Sequence, residues 1–500
     1  MSAPIRVLFA TSNGTGLGHL TRSLAISARL DRAVEPLIVT LSAAAPVVDR
    51  LGYPVEYVAS YDRPGAGNDL SWTLRTRDRL QAIVREVAPA VVVFDGTHPY
   101  ERLLPALRAG GASLVWCRRA LWREDADTAP LHRSHLFDAV LEPGEVADGG
   151  SIGPTASRAS EAHTVDPIVL VARDELMPRA EAERALGLEP GRRNVLVQLG
   201  QGKGVSQATA RSLRWLTAQK DVQVAALASS LAALDDLPAG VVPLPATYPI
   251  ARRFAAFDAA VSAAGYNQVH ELTALGVPTL FVPMPRLTDD QRARADAAAR
   301  ANLALACSGP DDAGLEQRLA DLLADGTRAR LEQSLAALPE WRGAEQAAGW
   351  LQAMAAPAAG GPAHDPAVIS RRATPRVRAR RAWIFVSTVP RTLVRIAAQA
   401  RSRTRARVHV LALGLDPARH EAELERALEA ASEPPGEILV VTDRLDFTTL
   451  LGAGVGIEHV PAAGSRQAEL SGLPYERFRE QRLALIRARR PRPRRVIELR

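Results

Sequence analysis

Along most of the chain, short runs of consecutive apolar residues alternate with longer segments whose apolar residues return every three or four positions. The runs have the length of strands buried on both faces and the longer segments have helical period, a pairing that predicts parallel sheets covered by helices on each side. In the first block the predicted strands are residues 6–10, 36–40, 55–58, 90–95 and 113–116, with helices near 19–30 and 75–87, while 121–165 reads as loop-rich. A second block has predicted strands at 195–199, 222–227, 258–262 and 279–283 and closes on a helical stretch over 327–354. Residues 356–381, rich in Ala, Pro, Gly and Arg, then read as a poorly ordered linker. The expected division is therefore 1–165, 166–355, the linker, and a third α/β block over 382–500.

The third block contains a repeat. Moving residues 38–60 by 402 positions lays them without gaps on 440–462, matching Val39 with Val441, Thr40 with Thr442, Gly52 with Gly454, Glu56 with Glu458 and Val58 with Val460. One residue of slip then aligns Arg79-Leu80 with Arg482-Leu483, and Val93-Phe94-Asp95 with Val496-Ile497-Glu498. The block reads as a degenerate, partial copy of the first domain; the alternative is chance likeness between two α/β units. After its first apolar run, Ile384-Phe385-Val386, come Ser387-Thr388-Val389-Pro390-Arg391 rather than a glycine loop, which implies a scaffold or a partner surface.

Composition narrows the class. A chain of 500 residues exceeds what one core supports and suggests about three units. Its 47% apolar and 23% charged content is that of a folded globular protein, not a disordered one. Two cysteines, Cys117 and Cys307, make neither a disulfide framework nor a metal cluster and fit a reducing cytoplasm. Met1 to Ile5 run into an apolar strand without the pattern of a signal peptide, and no stretch approaches the roughly 20 apolar residues that cross a bilayer. The net charge of +7 comes with arginine clusters around 371–381 and 487–495. These could meet acidic lipid at a membrane surface, but aromatic residues for base stacking are sparse nearby, so nucleic acid is not an expected partner and a solvated linker and helix end is the plainer reading.

Candidate chemistry gathers at strand ends. The first loop, Thr11-Ser12-Asn13-Gly14-Thr15-Gly16-Leu17-Gly18-His19, lies between a strand and a helix, where glycine permits close backbone approach and free N–H groups attract a phosphate or sugar oxygen. A nicotinamide-binding turn looks similar, but Val39-Thr40-Leu41-Ser42 ends the second strand without the acidic residue that binds an adenosine ribose. His19 stands where a neutral imidazole could take a proton from an attacking hydroxyl, with Asp95, at the end of Val91-Val92-Val93-Phe94-Asp95, as its orienting carboxylate. A capping or packing histidine is the alternative. The second loop, Gln198-Leu199-Gly200-Gln201-Gly202-Lys203-Gly204, is another phosphate cradle by the same logic, although Lys203 lacks the context of a P-loop lysine and can equally be a solvated loop residue.

The most specific stretch runs from Asp258 through Gly265-Tyr266-Asn267-Gln268-Val269-His270-Glu271 to Gly276 and Pro283. A strand turns at Gly265 into a short helix whose amino terminus can meet a diphosphate, and one turn along Glu271 can accept both hydroxyls of a ribose. A surface glutamate is the alternative.

The paired loops and this stretch resemble the family that includes the peptidoglycan lipid-linked N-acetylglucosaminyltransferase, over residues 5–355. The resemblance implies a GT-B architecture, two Rossmann-like domains facing across a cleft, here with the third, smaller α/β domain appended. It implies an acceptor and reaction-centre loop at Gly14, Gly16, Gly18 and His19, and donor binding by Gly200, Gly202, Gly265, Asn267 and Glu271. A polar pair that bonds the donor sugar falls on Asp290 and Gln291; the peptidoglycan enzyme has two glutamines there, which leaves the sugar open. His270 is not part of the pattern and is expected to pack or to face solvent.

The expectation is a cytoplasmic glycosyltransferase that moves a hexosyl or N-acetylhexosaminyl group from a nucleotide-sugar, UDP-linked by resemblance, to a hydroxyl acceptor that can be lipid-linked. Transfer is expected to invert the sugar and to use neither metal nor cofactor. Adjacent acidic pairs such as Asp289-Asp290 lack the Asp-x-Asp metal spacing. A nucleotide-sugar 2-epimerase of the same fold and a non-catalytic nucleotide-sugar-binding regulator are the rival readings.

Overall fold

A computed structural model describes residues 4–12, 17–64, 66, 69–147, 152–200, 205–227, 238–245, 247–356, 406–416, 418–488, 490 and 492–499. Most of the predicted linker and the run at 384–386 lie outside the described residues. The chain builds three sheets, and every strand pair in them is parallel.

The first sheet has the order β3-β2-β1-β4-β5-β6-β7, formed by β1 (Ile5–Thr11), β2 (Val34–Thr40), β3 (Val55–Tyr57), β4 (Val91–Asp95), β5 (Ser113–Cys117), β6 (Ala139–Pro143) and β7 (Ala162–Val165). The second has the order β10-β9-β8-β11-β12-β13, from β8 (Arg193–Gln198), β9 (Val222–Leu227), β10 (Val241–Leu244), β11 (Ala259–Ala263), β12 (Thr279–Val282) and β13 (Leu305–Ala306). The third, β16-β15-β14-β17, uses β14 (Val408–Ala412), β15 (Ile438–Thr442), β16 (Gly456–His459) and β17 (Arg495–Glu498).

Alternation within the apolar runs explains the layering, because successive side chains of a strand point to opposite faces. Val7 and Phe9 of β1 join one core while Leu8 joins another, and Leu196 of β8 is separated in the same way from Val195 and Val197. One face of each sheet contributes to a single continuous core, which contains Phe9, Leu196 and Val410 together.

The structure corrects the sequence reading in three places. Residues 121–165, read as loop-rich, hold β6 and β7; their runs are short and carry Glu142, His163 and Thr164, so the apolar signal is diluted. β14 occupies the place in the third sheet that β1 has in the first, 24 residues beyond the run at 384–386. In register, Glu498 stands opposite Leu411 as Phe94 stands opposite Ala10, so the aligned match of Glu498 with Asp95 is one position off.

Eight helices position the site and the interfaces: α1 (Gly18–Ser27), α2 (Ala45–Arg50), α3 (Asp69–Val87), α4 (Val205–Thr217), α5 (Tyr266–Ala274), α6 (Gln291–Arg300), α7 (Gly343–Ala355) and α8 (Tyr475–Arg487). α7, the last helix of the 166–355 segment, crosses back to pack on α1 and on the first sheet. Gly343 makes the crossing possible, since a Cβ there would lie 2.0 Å from the carbonyl oxygen of Asp166. Arg29 holds the helix through Glu345 at 2.7 Å.

A buried ionic clamp also ties the two halves. Arg294 on α6 donates two hydrogen bonds of 2.7 Å to Glu145, which follows β6, and a third of 2.9 Å to Asp289. The Arg294 and Glu145 side chains are fully buried. Removing Glu145 leaves Arg294 with Asp289 as its one carboxylate partner and two of its buried N–H groups unmet, so Glu145→Ala should lower unfolding free energy by about 3 kcal/mol in denaturant titration. A loss no larger than that of an exposed pair would show that water reaches Arg294.

Candidate functional site

Two helices frame the site, each starting where a central strand ends. α1 follows β1 of the first sheet and α5 follows β11 of the second, so both amino termini, with their unpaired N–H groups, emerge at carboxyl edges of parallel sheets. The two starts touch: Asn267 Nδ2 donates to the carbonyl of Gly18 at 3.3 Å, while Asn267 Oδ1 is buried without a partner among the described residues. Gly18 leaves room at this crossing for Arg119, whose Nη2 would lie 3.0 Å from a Cβ there. Gly14, Gly16 and Gly202 lie outside the described residues.

His19 and Asp95 come together. His19 Nδ1 lies 2.6 Å from Asp95 Oδ1, and the residues are 8% and 1% exposed. An ionised carboxylate only accepts, so the Nδ1 proton points to Asp95 and Nε2 is the ring atom left to take a proton. Arg22, one turn along α1, also grips Asp95, with Nε 3.1 Å from Oδ2 and Nη2 on Oδ1. Burial would raise the Asp95 carboxyl, but Arg22 and His19 outweigh it and hold it below the usual range. Burial lowers the imidazole of His19, assisted by Arg119 and Arg22 and opposed by Asp95, which keeps the ring neutral.

Glu271 sits one turn into α5, as expected from sequence, and no described residue bonds its carboxylate. Burial alone pushes it up to about 8. Near it, Tyr248 of the second half bonds Thr21 Oγ1 on α1 at 2.8 Å, which places Glu271 beside the contact between α1 and the second half. Gly200 ends the β8 loop with φ of +79°, a conformation that favours glycine, and α4 starts five residues on. Gly265 ends β11 tightly, since a Cβ there would meet Gln268 Oε1 at 2.9 Å. Gln268 Nε2 in turn donates to the carbonyl of Gln198 at 2.8 Å, joining the β8 and β11 loops.

Asp290 and Gln291 have structural partners. Asp290 caps α6 by accepting from the Ala293 amide at 3.0 Å, and Gln291 Oε1 accepts from the Met284 amide at 3.0 Å. His270 packs: it is fully buried, tilted against the Tyr266 ring with centroids 4.1 Å apart, and pushed down to about 4 by burial.

Three site residues were missed in the sequence. Arg22 had a signal, because it lies three residues from His19 and so on the same helical face. Arg119 lies between Gly18 and Asp289, 3.7 Å from the latter, and Tyr266 has Arg22 on one side at 5.4 Å and Arg294 at 5.8 Å from its ring centroid. Neither residue carried a pattern, since their neighbours come from distant segments.

Residues 239–346, which contain α5 and α6, match the glycosyltransferase family 28 C-terminal domain. The UDP-N-acetylglucosamine--N-acetylmuramyl-(pentapeptide) pyrophosphoryl-undecaprenol N-acetylglucosamine transferase of Burkholderia lata is 27% identical over 373 residues, 68% of this chain and 92% of its own. Its counterpart in Burkholderia multivorans matches over the same shares at 27%. The chain is a GT-B glycosyltransferase that resembles these enzymes. Among solved structures, the spinosyn forosaminyltransferase SpnP superposes with a TM-score of 0.50 at 18% identity, over 71% of this chain and all of its own. A Listeria monocytogenes protein provisionally assigned as a UDP-N-acetylglucosamine 2-epimerase gives 0.51 at 12% identity, over 70% of this chain and 96% of its own. Both likenesses concern the fold.

The transferase should display the raised Glu271 acidity as a pH effect. Between the ordinary 4.5 of an unfolded glutamate and about 8 in the fold, the unfolded chain releases the proton and the native one keeps it, so stability falls as pH rises through that window. Glu271→Gln removes this term. Its melting temperature relative to the unsubstituted protein should therefore climb from pH 4.5 to about 8 and level off above; a difference that does not change with pH would contradict it.

Proposed function

We propose that this transferase moves a hexosyl or N-acetylhexosaminyl group from a UDP-sugar to a hydroxyl acceptor, with inversion and without a metal. The observation that carries the reading is the His19–Asp95 pair beside two opposed helix starts. His19 Nε2 takes the proton of the acceptor hydroxyl as its oxygen attacks the anomeric carbon. Asp95, held ionised by Arg22, fixes the ring and stabilises the imidazolium that forms. The bond to the nucleoside diphosphate breaks as the new one forms, and loop amides around Gly200, Gly265 and Asn267, with the Arg119 guanidinium, receive the negative charge. A cation and amide dipoles supply what a divalent ion would otherwise supply. Glu271 accepts the ribose hydroxyls, and Asp290 and Gln291 meet the sugar from the start of α6.

The names of the Burkholderia relatives support a UDP-linked donor and a lipid-linked acceptor. Among the described residues no helix is long and apolar enough to cross a membrane. We read the enzyme as cytoplasmic, with peripheral contact at the inner face of the membrane where a lipid-linked acceptor would present its hydroxyl.

Labelled UDP-sugars offered with and without acceptor test the proposal. Nucleotide release with the label moved to acceptor is expected, and His19→Ala should lower turnover by about 10²–10⁴-fold while donor still raises the melting temperature. Glu271→Gln should weaken that donor-induced stabilisation. A labelled sugar that returns with its 2-carbon inverted and no transfer would replace this reading with the epimerase one, which the Listeria likeness in fold keeps in view.

A further inference from the structure

The third sheet repeats the first in order and in register. Ile38, Val39 and Thr40 stand opposite Val55, Glu56 and Tyr57; Val440, Val441 and Thr442 stand opposite Ile457, Glu458 and His459, each 402 positions later. The two copies meet through the same elements, β3 against β16 and α3 against α8.

Their contacts are reciprocal. Arg79 on α3 donates to Glu458 at 3.0 Å, and Arg482 on α8 donates to Glu56 at 2.8 Å. Glu458 lies 402 positions after Glu56 and Arg482 lies 403 after Arg79, so these are one contact made twice. The four side chains are no more than 8% exposed. The loops obey the same exchange to within one residue: Gly456 is pressed against the Pro64 carbonyl, and Gln467 Nε2 donates to the Val55 carbonyl at 2.7 Å. A surface that contacts its own likeness in this way is isologous, the form of a two-fold dimer interface.

The charges depart from symmetry in an informative way. Arg482 also binds Glu86 at 2.6 Å, and Arg490 binds Glu458, so Glu56, Glu86 and Glu458 are each paired by Arg79, Arg482 or Arg490, with buried Arg75 of the first domain close to Glu458 and Arg490. Two copies of the first domain would carry Glu56, Glu86, Arg75 and Arg79 twice but would lack Arg482, the arginine that pairs Glu86 here, so the Glu86 carboxylates would be surplus to the guanidiniums that reach them, and an unpaired charge of little exposure is costly. The tethered copy therefore holds the face better than a second chain can.

We propose that the β3–α3 surface of the first domain is a two-fold docking face for a second copy of that domain, occupied in the intact chain by the C-terminal unit. This holds whatever sugar the enzyme transfers.

In the full chain, Arg482→Glu with Arg490→Glu makes the C-terminal side repel Glu56 and Glu86 and leaves the first domain unaltered. Sedimentation equilibrium should then show a concentration-dependent dimer absent from the unsubstituted protein. Adding Arg79→Glu should abolish it, and adding Glu86→Gln, which removes the surplus charge, should tighten it by about tenfold or more. Should charge reversal prevent folding, Arg482→Gln, which keeps most of the side chain's size, should give a weaker dimer with the same response to Arg79→Glu. A folded variant that stays monomeric at every concentration, or a dimer indifferent to Arg79→Glu, overturns the proposal.

Discussion

The Asp95 carboxylate sits where water hardly reaches, at the end of the central strand of the first sheet, and a charge there has to be matched by protein. His19 and Arg22 match it, and the match fixes both. The imidazole gains one tautomer and one orientation. The guanidinium gains a position from which it lies over Tyr266, a residue of the other half, whose hydroxyl meets the Gly144 carbonyl and the Ile168 amide at 3.0 Å each. Arg294 lies by the same ring and clamps Glu145 and Asp289. From one buried carboxylate, a continuous set of contacts thus reaches the loop that leads into Asp290 and Gln291. His19 and the loop before Asp290 and Gln291 are held by the same framework, so in the mechanism proposed above the relative placement of the two halves bears on catalysis.

Electrostatics also holds the acids of the site in different states. Asp95 and Asp289 face arginines and remain ionised, the latter pushed down to about 2. Glu271 has no such partner and rises. It is therefore suited to share protons with neutral hydroxyls rather than to repel a nearby phosphate.

Among the described residues, the C-terminal unit contributes no counterpart of the dyad. The Gly414 amide, just beyond β14, donates to Asp443 at 2.7 Å, and the unit's buried Arg482 is engaged with the first domain. A cavity of about 470 Å³ opens between α2 and the loops after β15 and β16, lined by Arg50, Asp446 and His459, and it contains none of the dyad or donor residues. The unit's visible work is to cover the β3 edge, which would otherwise present unpaired backbone groups.

Much of this was written in the chain itself. Alternation of apolar runs with helical segments determined parallel sheets, since a strand buried on both faces has to be apolar throughout; β6, β7, β10 and β13 escaped because they are short or mixed in character. Glycines before helices at Gly18 and Gly265 marked the two opposed helix starts, because only local backbone chemistry was needed to read them. Tertiary structure alone decided that Asp95 meets Arg22 as well as His19, that Tyr266 lies close to two arginines, and that Arg79 and Arg482 exchange carboxylates across a pseudo-two-fold. Those contacts join residues tens to hundreds of positions apart, and the burial that gives them their strength does not exist until the sheets have packed.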